Sequence, residues 1–121
     1  MLAAAIGLFA AFAIGGQAIA GQTNIAVAAN FTDAAKEIAT AFKAKTGHEA
    51  VLSFGATGAL YAQITQEAPF QILLSADAEH PKKATDNGFG VADSRLTYAI
   101  GKLVLWSRNP DLVKGEETLK G

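Results

Sequence analysis

Apolar positions along the chain switch repeatedly between short continuous runs and three- to four-residue spacing, and each switch marks a strand passing into a helix. Ile25 to Ala29 is a short, uncharged run that suits a strand buried on both faces, as in a parallel sheet. It leads into Asn30-Phe31-Thr32-Asp33, three polar residues of the helix-capping type around one aromatic. Phe31, Ala34, Ala35, Ile38, Ala41 and Phe42 then recur at helical steps, which predicts a helix from about Thr32 to Thr46. Gly47 supplies the left-handed position after its end, and Lys43 and Lys45 complement the helix dipole there. His48, beside the helix end, reads as a solvated loop residue.

The same pattern is then repeated. Glu49 to Phe54 predicts a second strand, Gly55-Ala56-Thr57-Gly58 a small polar turn, and Ala59 to Glu67 a second helix. Phe70 to Ser75 predicts a third buried strand, followed by a short helix over Lys82 to Asn87 that Gly88 closes. Arg95 to Trp106 carries β-formers at both ends and Gly101 in the middle, the pattern of a long strand with a bend that passes between two lobes. Asn109-Pro110 predicts a turn, and Gly115 to Gly121 the beginning of another helix. The alternation predicts an α/β fold with a parallel, helix-covered sheet.

Charge alters the picture at the amino end. The first twenty residues carry none, and the first ionisable side chain is Asp33. Met1 to Ile14 is almost wholly apolar, Gly15-Gly16 interrupts it, and Ala18-Ile19-Ala20 fits a small-x-small cleavage site. These are the apolar core and cut site of a secretory signal peptide, expected to be removed after Ala20. A membrane anchor is the competing reading, but the paired glycines and Gln17 make the run marginal for a span of ~20 residues. Ten basic and eleven acidic residues nearly cancel, which argues against nucleic acid or a polybasic membrane surface as partner. The absence of Cys excludes a disulfide framework and thiol chemistry and is compatible with export.

Ligands of open parallel sheets bind outside the carboxyl ends of the strands, where the two polar turns are placed. Neither turn contains Lys, Arg, Asp or Glu, and no nucleophile with an adjacent base stands near them. Asn30, Thr57 and the backbone N–H groups at two helix starts make a neutral, donor-rich site. Such a site binds rather than catalyses, so the chain reads as a non-enzyme. Gly55 and Gly58 let a ligand approach the backbone, but no Lys follows Gly58 as a phosphate loop requires, and no G-x-G-x-x-G is present. Asp77, Glu79 and His80 match no established metal spacing; they read as the acidic start of a helix, and no metal or other cofactor is expected. Asp33 reads as first-turn stabilisation.

Four runs together carry a family resemblance: Ala28-Ala29-Asn30-Phe31-Thr32, Ser53 to Gly58 with Tyr61-Ala62-Gln63-Ile64, Leu73 to Asp77, and Phe89 with Leu96 to Ser107. In this order they resemble the molybdate-binding periplasmic protein of ABC transporters. The resemblance implies a type II periplasmic-binding-protein fold, two α/β lobes joined by crossing strands that close on an oxyanion. It implies residues 21–95 as the first lobe and 96–121 as the crossover strand with the start of a second lobe, the rest of which lies beyond this sequence. The first-turn ligand falls on Asn30, where many relatives have Ser, and the second-turn hydroxyl on Thr57, where Ser is usual. Ala29 occupies a position that is Thr in some relatives. Molybdate or tungstate is the implied ligand, a membrane permease the implied partner, the periplasm the location, and a monomer the state of the full-length protein. Both ions are dianions that only accept hydrogen bonds, which suits a site of donors. Sulfate or phosphate on the same fold, and an α/β enzyme with a phosphate cradle, remain the alternatives.

Overall fold

The computed structural model describes residues 20–113 and residue 115. Residues 1–19 of the expected signal segment 1–20, and the helix expected over Gly115 to Gly121 apart from Gly115 itself, lie outside the described residues. Within them the chain runs β1 (Gln22–Ala28), a single 3₁₀ turn (Ala29–Phe31), α1 (Thr32–Thr46), β2 (Glu49–Gly55), α2 (Thr57–Thr65), β3 (Ile72–Leu74) and α3 (Glu79–Asp86). The three strands form one sheet of order β2-β1-β3, parallel throughout.

The uncharged run of β1 has the central place because only a strand flanked on both sides and covered on both faces can bury such a run. Ala26, Val27 and Ala28 are accordingly buried, with Ala35 of α1 and Leu60 of α2 packed around them. Side chains alternate between faces along a strand. Ile25, Leu52 and Leu74 share a face with α1, and an open apolar groove of about 240 Å³ remains there between α1 and the sheet. Gly55 points to the opposite face, where an added Cβ would meet Leu60 Cδ2 at 3.3 Å. Gly55 therefore lets α2 lie close to the sheet, on the side where right-handed crossovers place it.

Helix α1 has the predicted limits and ends on Gly47 in the left-handed conformation (φ 74°), whose N–H donates to the Lys43 carbonyl. Four readings of the sequence need correction. The third strand is Ile72–Leu74, shorter than the buried Phe70–Ser75 expected and only partly covered, because it pairs on one side alone. Helix α2 begins at Thr57, two residues earlier than expected, so Thr57 is its first helical residue rather than part of a loop. Helix α3 begins at Glu79 and not at Lys82, because Pro81 falls within the first turn, where its missing N–H has no intrahelical partner to lose. The strand expected at Arg95–Trp106 is not formed: residues 95–107 have no regular secondary structure. β-forming residues need a neighbouring strand to pair with, and no described strand lies alongside. The Asn109-Pro110 turn is formed, with the Leu112 N–H donating to the Asn109 carbonyl at 3.2 Å.

His48 is more than a solvated loop residue. Its Nδ1 accepts the Gly21 N–H at 2.8 Å, while the Glu49 N–H donates to the Gly21 carbonyl at 2.9 Å. The entry into β1 is thereby tied to the entry into β2.

Candidate functional site

The register fixes where the strands stop. Ala28 pairs with Gly55 and Val27 with Leu74, so β1, β2 and β3 end on nearly one line. Beyond that line stand the turn Ala29–Phe31, the step Ala56–Thr57 and the turn from Ser75 to Ala78. Asn30 and Thr57 are thus brought to the same edge of the sheet by adjacent strands. Asn30 is exposed, Thr57 half-buried and Ala29 exposed.

The capping expected of the polar residues at the start of α1 is absent. Phe31 occupies the cap position with no side-chain hydrogen bond, because the 3₁₀ turn runs straight into the helix. The Thr32 hydroxyl donates to the Ala29 carbonyl at 2.8 Å and so serves the turn instead of the helix. Helix α2 likewise starts without a side-chain cap, at Ala56. The first-turn N–H groups of a helix have no partners inside it. Neither helix start thus has a side-chain cap; the Thr32 N–H is taken by the Ala29 carbonyl, and the positive ends of both dipoles lie at one edge.

The third turn was missing from the site drawn from the sequence. The Ala76 N–H donates to the Thr57 hydroxyl at 3.1 Å, joining the turn after β3 to the first residue of α2. Ser75, almost fully buried, accepts the Asp77 N–H at 3.2 Å on its hydroxyl. Two ionisable residues come with this turn, so the edge is not wholly neutral. Asp77 Oδ1 accepts the His80 N–H at 2.9 Å, and Asp77 Oδ2 lies 2.8 Å from His80 Nδ1. The backbone hydrogen bond from His80 holds the Asp77 carboxyl below its ordinary range, and the His80 ring adds to this. Glu79 is engaged elsewhere, in an ion pair with Lys83 at 2.6 Å. One cation was also overlooked: Lys36 Nζ lies 5.4 Å from the centre of the Phe54 ring, near the end of β2.

Tyr98 reaches the same edge from residues 95–107. Its hydroxyl donates to the Ser75 carbonyl at 2.8 Å, and its ring lies 5.1 Å from that of Phe31, tilted by 54°. Burial raises its phenol pKa. Nothing local in the sequence marks this contact, which spans twenty-three positions.

Residues 23–121 match the family described as bacterial extracellular solute-binding protein. The chain belongs to that family. It is 57% identical over 93 residues to the molybdate-binding protein ModA of Rhodobacter capsulatus, covering 77% of this chain and 37% of that one. The molybdate-binding protein ModA of Azotobacter vinelandii is 51% identical over 94 residues, again with 37% of its length covered. The chain thus spans little more than a third of these relatives. The solved periplasmic molybdate-binding protein of Azotobacter vinelandii superposes with a TM-score of 0.72 at 43% identity, over 82% of this chain and 43% of that one. The α/β architecture with a parallel sheet is that of a periplasmic binding protein.

Proposed function

We propose that this chain supplies one lobe of an extracytoplasmic receptor that captures molybdate or tungstate and presents it to the permease of an ABC transporter. The observation that carries this reading is the meeting of two uncapped helix starts, with Asn30 and the Thr57 hydroxyl, at a single sheet edge. A tetraoxo dianion has four acceptors and no proton to give, so it requires donors alone. The one carboxylate on the third turn, Asp77, is occupied by His80 and offers little to a protonated phosphate. Asn30 and Thr57 are assigned as side-chain donors and Ala29 as a backbone contact. The names of the relatives support the choice of molybdate. No catalytic step is assigned: the Ser75 hydroxyl beside the Asp77 carboxylate is almost fully buried and serves the turn, and the reading is of a binding protein.

The test is calorimetry on two proteins: the chain itself, and a hybrid in which it replaces the matching part of the Rhodobacter capsulatus relative. The hybrid is expected to bind molybdate and tungstate in preference to sulfate and phosphate, and the chain alone to bind more weakly. A folded hybrid that prefers phosphate or sulfate would overturn the assignment.

A further inference from the structure

We propose that Tyr98 is a positioning residue that clasps the turns of the anion-binding edge together and so sets the direction of the Thr57 hydroxyl. The inference rests on the oxyanion reading of that edge, and it names a device that the reading does not need in order to stand. Along residues 95–107 the large apolar side chains are well exposed, Leu103 completely. Tyr98 is the most covered of them, and both ends of its side chain are engaged.

The two contacts fall on different turns. Phe31, against the Tyr98 ring, directly follows Asn30; Ser75, whose carbonyl takes the Tyr98 hydroxyl, directly precedes Ala76. Ala76 in turn donates its N–H to the Thr57 hydroxyl oxygen. One side chain therefore spans the turns after β1 and β3, and through Ala76 it reaches the first residue of α2. A hydroxyl oxygen that accepts from Ala76 keeps its own hydrogen free to donate elsewhere, and the direction of that donation follows from where Ala76 is held. Ser75 is almost fully buried, so its carbonyl would find few substitutes for the phenol. Tyr98 also fastens residues 95–107 to the lobe at this edge. Displacement of that segment would be felt first by the turn carrying Ala76.

The experiment compares Tyr98→Phe and Tyr98→Leu in the full chain by amide hydrogen exchange without ligand, then by calorimetry with sodium molybdate. Tyr98→Phe keeps the ring and removes the hydrogen bond, so exchange should rise at Ala76 and Asp77, with Asn30 and Gly47 unchanged. Tyr98→Leu should raise exchange at Asn30 and Phe31 as well. Molybdate affinity should fall about fivefold for the first and further for the second, the loss expected for one hydrogen bond and then a ring contact. Unchanged exchange at Ala76 in both variants would overturn the clasp. So would an equal rise across α1, which is the mark of a general loss of stability. If the local exchange pattern appears but the unsubstituted chain and the hybrid bind no molybdate, the clasp stands and the oxyanion reading falls.

Discussion

The Ala76 N–H and the Thr57 hydroxyl are hydrogen-bonded at 3.1 Å, across nineteen positions of sequence. The bond occupies an acceptor position of the hydroxyl and leaves its hydrogen to point outward. Thr57→Val removes that donor at nearly constant shape and also strands the Ala76 N–H. In the hybrid receptor it is expected to weaken molybdate binding by about 1.5–3 kcal/mol, the range for a hydrogen bond to a charged group. Thr57→Ser should retain most of the affinity. Calorimetry on the pair decides it, and equal affinities for Val and Ser would remove Thr57 from the site.

Asn30 has a simpler role and a separate test. It stands exposed within the 3₁₀ turn, and its side chain has no hydrogen-bond partner among the described residues. Asn30→Ala should therefore leave the melting temperature nearly unchanged while costing about 1–3 kcal/mol in molybdate binding. A fall in stability with intact binding would make it a structural residue of the turn.

Asp77 should govern part of the acid response. Its folded pKa is lowered, first by the backbone hydrogen bond from His80. A depressed carboxyl stabilises the fold fully above its unfolded value of 3.8, and this contribution is lost as pH falls through the folded value. The chain should thus lose stability below about pH 4. Asp77→Asn should be less stable near neutrality, with a shallower acid limb. Chemical denaturation across pH 2 to 7 (roughly the carboxylate range and above) measures both. Parallel curves for the two proteins would contradict the assignment.

Self-association is the expected behaviour of the exposed segment. Leu96, Ile100, Leu103, Val104 and Trp106 are all exposed on a stretch with no strand pairing. Such a stretch presents both apolar surface and unpaired backbone groups to other copies. Sedimentation of the chain should show concentration-dependent oligomers, reduced by Leu103→Lys with Trp106→Lys. A monomer at all concentrations would show that this surface does not drive association.

The parts of the fold legible in the sequence were those fixed by local physics. Helix α1 could be bounded because its apolar stripe is regular and Gly47 stands where a left-handed residue is needed. The pattern puts the starts of α2 and α3 too late, at Ala59 and Lys82, although the first helical turn tolerates both Gly58 and Pro81. Arg95–Trp106 was read as a strand from its β-formers, but pairing depends on a neighbour that local sequence does not reveal. At the candidate site, Asn30 and Thr57 could be matched to one edge because both follow predicted parallel strands. The links through Ser75, Ala76 and Tyr98 could not, since they join residues distant in the chain and carry no spacing signal.

The contact between Gly21 and His48 has a consequence for processing. Cleavage after Ala20 would turn the Gly21 nitrogen, now an amide donor to His48 Nδ1, into the terminal amine of the mature chain. The donor would then be a cation for much of the neutral range, with an ordinary pKa of about 7.7–8.0. A charge-assisted bond is stronger than the amide bond it replaces. Maturation would in this way seal the junction between β1 and β2 instead of leaving a loose end. A chain starting at Gly21 should accordingly melt higher with a free amine than with an acetylated one, and His48→Ala should abolish the difference.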